Sequence, residues 1–292
     1  MKNEYPSKRS TKIIAAVDEP SFVPEDFIVS EDAYVILSQG GWVKRQREVK
    51  DIGVTRLREG DSVLDVAAGS TKSSLAFFSS HGSCYVMRLN DVPATSGHGV
   101  PVQSLFKLAD GERILRMMCF DSRLLDVPPP TEGSSEPEPP LALAVTKGGL
   151  VCQFSLRQHR EQSTRTGRRF MKVNDGDEIV YVDHTIERER LACVTEKGNA
   201  LVCLIEEIPV LLGAGKGVRL IRLDEGDAVL GAQIMTDATQ PLVVENESGK
   251  TFEVTVWKAV VSRGGKGTSL WKRGRGKRTV PPAPSVPQLG GQ

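Results

Sequence analysis

Apolar residues in this chain gather in short β-rich runs separated by glycine, and five stretches share one layout: a run, a tight glycine-bearing turn, then a second run. They are Val35-Ile36-Leu37 to Arg45, Leu75-Ala76-Phe77-Phe78 to Arg88, Leu141 to Phe154, Leu191 to Leu204 and Leu242 to Val254. Each predicts a β-hairpin, because two strand-length runs joined by a glycine turn can pair at once. The aligned turn glycines are Gly41, Gly82, Gly149, Gly198 and Gly249, at steps of 41, 67, 49 and 51 residues. The long step contains residues 127–140, a stretch so rich in proline and acid that it is expected to be a disordered insertion. Without it the period is close to 50 residues, apart from a shorter first step.

A second signature recurs inside the units: an apolar residue, a short polar pair, Gly-Asp or Gly-Glu, one residue, then Val or Ile. It reads Leu57…Gly60-Asp61…Val63, Leu108…Gly111-Glu112…Ile114, Val173…Gly176-Asp177…Ile179 and Leu223…Gly226-Asp227…Val229. The second glycine follows the first by 19, 29, 27 and 28 residues, so the first unit is about nine residues short. A four-stranded unit of this size cannot bury both faces alone, so the units must stack and, with right-handed strand twist, tend to close into a disc. The expected fold is all-β and propeller-like, with about five four-stranded blades. The fifth unit lacks the Gly-Asp signature, while Lys12-Ile13-Ile14-Ala15 and Asp26-Phe27-Ile28-Val29 offer strands without a unit. The N-terminal strand is therefore expected to complete the last blade.

At 292 residues with 26% charged residues, the chain suits one soluble body with flexible ends. No apolar run approaches the roughly 18 residues of a membrane span, and Met1 to Ser10 is charged with no apolar stretch behind it, which predicts a cytoplasmic home and no membrane partner. Cys84, Cys119, Cys152, Cys193 and Cys203 are odd in number and mostly sit in apolar runs, which reads as buried reduced thiols. Net charge is +1, yet residues 262–278 carry seven cations and no acid, leaving −6 on the remainder. A polyanion would meet the C-terminal end first.

Pro24 to Ser38, followed by Gly41-Trp42-Val43-Lys44-Arg45, resembles the start of the C-terminal domain found in the A subunits of DNA gyrase and topoisomerase IV, bacterial type IIA topoisomerases. Val86 to Leu105 and Gly215 to Asp227 resemble its later blades, and the likeness covers roughly residues 10–275. It implies a β-pinwheel whose basic rim bends duplex DNA, and five units resemble topoisomerase IV more than gyrase, which usually has six. Gyrase carries a QRRGGKG box in its first blade. Here the first blade has only Arg47 to Gly53, and a near match, Ser262-Arg263-Gly264-Gly265-Lys266-Gly267, stands in the fifth unit. Residues 1–10 look like the end of the linker from a cleavage core, residues 11–262 like the pinwheel, and residues 263–292 like a basic Gly-rich segment with a Pro-rich tail. The family's active-site tyrosine, and the parts through which its holoenzyme uses ATP and Mg²⁺, have no counterpart in these motifs. The chain is expected to be non-catalytic by itself, with no cofactor of its own, and to work beside an A-subunit cleavage core and an ATPase B subunit.

Duplex DNA is held mainly through its phosphates, so the candidates are Lys and Arg that recur at matching positions. Lys44, Arg45 and Arg47 follow the first hairpin turn. Arg165, Arg168, Arg169 and Lys172 in the third unit, and Lys216, Arg219 and Arg222 in the fourth, lie in the connection before the Gly-Asp turn. Arg263, Lys266, Lys272, Arg273 and Arg275 form the densest cluster, where glycines let backbone approach phosphate closely. His81, His98, His159 and His184 show no metal spacing, and Asp61, Asp177 and Asp227 read as turn-formers capping backbone N–H groups. Gly213-Ala-Gly-Lys-Gly217 lacks the Ser or Thr and the helix that a phosphate loop requires. The leading reading is a DNA-binding and DNA-bending accessory domain of a type IIA topoisomerase, carried by its A subunit. The alternative is a diverged propeller acting as a protein-interaction module, supported by the acidic body.

Overall fold

All five hairpins form, each with its turn glycine at positive φ, where a side chain would strain the backbone. The computed structural model describes residues 28–131, 133, 136–185, 189–236 and 241–290. In chain order the first unit gives β1 (Asp32–Ser38), β2 (Trp42–Gln46) and β3 (Val63–Ser70). The second gives β4 (Ser74–Ser79), β5 (Ser83–Arg88), β6 (Val100–Pro101), the single helical turn α1 (Val102–Leu105) and β7 (Ile114–Phe120). The third gives β8 (Leu141–Thr146), β9 (Leu150–Ser155), β10 (Arg168–Arg169) and β11 (Ile179–Thr185). The fourth gives β12 (Arg190–Thr195), β13 (Asn199–Leu204), β14 (Val210–Leu211), β15 (Val218–Arg219) and β16 (Val229–Met235). The fifth gives β17 (Leu242–Asn246), β18 (Thr251–Val254), β19 (Thr268–Ser269) and β20 (Gly276–Val280).

The units do not fold as self-contained blades. Each of the first four hairpins pairs on one side with its own unit's later strand: β3 with β1, β7 with β4, β11 with β8, β16 with β12. On the other side it receives a short strand from the following unit: β6 joins β2, β10 joins β5, β14 and β15 join β9, and β19 joins β13. Arg168 and Arg169, read from the sequence as belonging to blade three, therefore lie on the edge of blade two, and Arg219 lies on blade three. A glycine makes each exchange possible. Gly217 and Gly267 both have φ +77, and a Cβ there would sit 2.5 Å from the Val151 carbonyl oxygen and 2.4 Å from that of Ala200. The residue at or just past the end of the edge strand is then clamped to the preceding hairpin turn, with Val102, Phe170, Leu220 and Leu270 donating N–H to the carbonyls of Gly41, Gly82, Gly149 and Gly198 at 2.8–2.9 Å.

Four apolar clusters fill the four junctions between successive blades. The first joins Val35, Leu37 and Val43 to Leu75, Phe77 and Tyr85; the second packs Phe78, Phe154 and Phe170 together. Strands β3, β7, β11, β16 and β20 pack on one another in succession and form the centre. There a polar spine crosses three junctions. Arg116 of β7 reaches Asp65 of β3 at 3.1 Å and Asp183 of β11 at 3.3 Å; the Tyr181 hydroxyl donates to Asp183 at 3.4 Å and accepts the Ile234 N–H of β16 at 3.0 Å. Burial pushes the Asp65 carboxyl up, whereas hydrogen bonding and charge from His184 and Arg116 outweigh burial at Asp183 and hold it down. All five cysteines are free and buried, and burial pushes the Cys152 thiol up to about 12.

Two parts differ from expectation, segment 263–280 and the flanks of the insertion. The place beside β17 belongs to β20, so the C-terminal chain supplies the inner strand of blade five; the N-terminal strand assigned to that blade lies almost wholly outside the described residues. Among the described residues β18 has no neighbour on its other edge, and blade five is three-stranded. Segment 263–280 is part of the body rather than a tail: β19 and β20 lie in sheets, and Trp271 is 8% exposed, its ring 4.9 Å from that of Phe252. The flanks of the insertion are also held, because Arg157 donates to the Pro139 carbonyl at 2.6 Å and pairs with Glu138 at 2.7 Å, while Arg160 donates to the Val127 carbonyl at 2.8 Å. Beyond β20 the chain crosses blade one. Val286 packs against a small cluster of Ile36, Val49 and Val66.

Candidate nucleic-acid interface

The clamp at each hairpin turn fixes where the unit's next cation falls. Two residues beyond Phe170, Leu220 and Leu270 stand Lys172, Arg222 and Lys272, and Lys107 follows Phe106 in the second unit, after α1. The N–H groups of Lys107, Lys172 and Arg222 donate to the carbonyls of Arg165, Gly215 and Gly265, so these three occupy one equivalent position. Arg56 stands at the same step before the first Gly-Asp turn, directly ahead of Leu57. The five are exposed, one per unit, and among the described residues none makes a side-chain hydrogen bond or ion pair. Sequence reasoning found Lys172, Arg222 and Lys272 and missed Arg56 and Lys107. The residue ahead of the apolar position in the Gly-Asp signature was the available signal.

The acid of that signature has a positioning role. Asp61, Asp177 and Asp227 accept the backbone N–H of Gly40, Gly148 and Lys197 at 2.9, 2.7 and 2.9 Å, tying the turn before the inner strand to the tip of the hairpin. Lys172 and Arg222 are thus carried on segments held at both ends, which limits the entropy lost when they meet an anion.

The other candidates divide by what their side chains already touch. Lys44 is a correction. It is 1% exposed, and its ammonium donates to the Arg56 carbonyl at 2.6 Å and the Gly97 carbonyl at 3.0 Å; burial and the nearby Arg56 charge pull its pKa down. With Val43 turned toward blade two, strand alternation puts Lys44 on the opposite face beside its cross-strand partner Ile36, where its charged end serves the carbonyls of two loops that cover it. Arg45 donates to the Val92 carbonyl at 3.0 Å. Arg47, at the far end of β2 from the hairpin turn, instead lines an open polar basin of about 1400 Å³ with Lys72, Arg88, Arg123 and Arg160.

Arg165 caps the carbonyl end of α1, donating to Ser104 at 2.8 Å and Leu105 at 3.1 Å, and Arg168 gathers the carbonyls of Glu161 and Gln162, both at 2.8 Å. Arg263 donates to the carbonyls of Glu207 and Arg219. Lys266 pairs with Asp224 at 3.0 Å, and Arg275 pairs with Glu196 and donates to the Gly226 carbonyl. Arg169, Lys216, Arg219 and Arg273 are exposed and lie on the same connections as the equivalent cations. Gly213–Gly217 and Arg263–Gly267 prove to be counterparts: both make the glycine turn into an exchanged edge strand. Among the described residues no group of three or more His, Cys, Asp or Glu is placed to hold a metal, and no helix is long and apolar enough to cross a membrane.

Stacked four-stranded blades that pass an edge strand to the blade before them define a β-pinwheel. The family model described as "DNA gyrase C-terminal domain, beta-propeller" matches residues 73–121, 142–185 and 189–234. The DNA gyrase A subunit of Aminobacterium colombiense is 30% identical over 278 residues, 91% of this chain and 32% of the relative; the DNA topoisomerase 4 A subunit of Caulobacter vibrioides is 25% identical over 241 residues, 82% and 29%. The chain belongs to the DNA gyrase A C-terminal domain family. It spans about a third or less of the length of those relatives. Among solved structures, the C-terminal domain of DNA topoisomerase IV superposes with a TM-score of 0.73 at 20% identity, over 87% of this chain and 78% of that one. The E. coli ParC C-terminal domain gives 0.66 at 18%, over 87% and 100%, and the DNA gyrase A C-terminal domain 0.55 at 20%, over 87% and 83%. These show the fold.

Proposed function

We propose that the chain binds and bends duplex DNA as an accessory domain within the A subunit of a type IIA topoisomerase, guiding a segment toward a cleavage core. The observation that carries this reading is one exposed, unpaired cation per unit at a repeating position: Arg56, Lys107, Lys172, Arg222 and Lys272. Contacts repeated at blade spacing let a stiff polyanion touch several units at once, and each phosphate neutralised releases counterions. Arg169, Lys216, Arg219 and Arg273 add charge along the same connections. Strand passage, with its ATP and Mg²⁺, belongs in this reading to the cleavage core and the ATPase subunit. Five blades favour a topoisomerase IV-like role, and the site of action is the cytoplasmic nucleoid.

Binding to a labelled duplex of about 40 base pairs across a salt series tests the reading. Affinity should fall steeply with salt, with a log–log slope of roughly −4 to −5 if five phosphates are engaged. A protein-interaction module is the second reading, favoured by the body's net −6 charge and by the internal neutralisation of most of segment 263–278. Absence of duplex binding even at low salt would select it.

A further inference from the structure

The four junctions between successive blades are each sealed by a large apolar cluster, but the face of blade one turned away from blade two is treated differently. Its cluster holds three buried residues, Ile36, Val49 and Val66, with Tyr34, Ile52 and Val63 around them. Among the described residues blade five offers no matching apolar face. Glu245 of β17 pairs with Lys277 at 3.3 Å and Arg278 at 2.8 Å, and Val280 is 39% exposed. The cover that does come from the far end of the chain is Val286, six residues beyond the end of β20.

The pattern continues along this segment. Pro284, Val286, Pro287 and Leu289 are half-buried while Pro281, Pro282, Ala283, Ser285 and Gln288 are exposed. Leu289 and Gly290 then line the polar basin beside Arg47 and Arg88. Proline at four of ten positions holds the segment extended with little entropy to lose, so one apolar anchor suffices to seat it.

We propose that residues 281–290 are a strap that joins blade five to blade one, anchored by Val286, and that its release opens the disc at this one junction. The disc then has four fixed junctions and one detachable one. Any path laid around its edge changes length and curvature when the strap lets go.

The test is hydrogen exchange on the full-length chain carrying Val286→Asp, with Val286→Ile as the conservative control. Exchange in residues 47–55 and β3, which surround the anchor, should quicken roughly tenfold in Val286→Asp, while blades three and four keep wild-type rates and Val286→Ile matches wild type. Unchanged exchange around blade one overturns the proposal. So does a rise spread evenly over all blades, which would make the segment a general stabiliser rather than a strap.

Discussion

Segment 263–278 carries seven cations in sixteen residues, and the repeating position carries five in the whole chain; the sparser set is the one left free. Within the segment, Lys266 faces Asp224, Arg275 faces Glu196, and Lys277 with Arg278 share Glu245, while Arg263 is turned onto the carbonyls of Glu207 and Arg219. Of the seven, Lys272 and Arg273 alone keep exposed side chains without such a partner among the described residues. A dense run of positive charge is thus largely paired, with acids of the fourth and fifth units. Lys107, Lys172, Arg222 and Lys272 follow points where the chain has just been clamped, and among the described residues none of the five cations forms an ion pair. Charge along a sequence and charge available to a partner are different quantities.

The largest expected effect breaks or confirms this contrast directly. Replacing Arg56, Lys107, Lys172, Arg222 and Lys272 by Ala should weaken duplex binding on the order of a thousandfold near 0.1 M salt and flatten the salt slope by about 4, with thermal stability unchanged. Replacing Lys266, Lys277 and Arg278 instead should cost less than about tenfold in affinity; equal losses in the two variants, read by fluorescence anisotropy, would erase the distinction. Next in size, Trp271→Ala should destabilise the chain by about 3–5 kcal/mol in urea titration, because it empties a site between Gly198 and Phe252; a flexible basic tail would show no such loss.

Lys44→Met should cost about 1–3 kcal/mol of stability, since the carbonyls of Arg56 and Gly97 lose their donor, and should leave the salt slope of DNA binding where it was. A lowered slope would return Lys44 to the interface. The smallest effect probes pairing itself. Hydrogen bonds from Arg123 hold the Asp121 carboxyl below the ordinary carboxylate range, so its contribution is full above the unfolded value near pH 4 and is lost as pH falls through the lower folded value. Wild type and Asp121→Asn should therefore differ in denaturant midpoint at pH 7 and converge in strong acid.

Repeat number, hairpin positions and the class of fold were legible in the glycine spacing, because a hairpin turn demands residues that tolerate positive φ and a period of about 50 residues repeats that demand. The capping role of Asp61, Asp177 and Asp227 was legible for the same local reason. Strand exchange was not. Two-residue edge strands such as Arg168–Arg169 and Thr268–Ser269 carry no periodic signal, and their partners lie in another unit. Lys44 misled because a lysine beside a turn reads as surface, whereas its neighbours on β2 set which way it points. The likeness between Gly213–Gly217 and Arg263–Gly267, 50 residues apart, is visible in the sequence but stays hidden while each is read as a separate motif.

The exchanged strands also give the molecule a direction in time. Blade one stays open along β2 until Val100 and Pro101 have been made, blade two until Arg169, blade three until Arg219 and blade four until Ser269. At translation rates of roughly 5–20 residues per second, each blade therefore waits several seconds for its last strand, and completion runs from the N-terminal end to the C-terminal end. During synthesis one unfinished sheet edge always trails the ribosome, moving along the protein as each new unit seals the one before it.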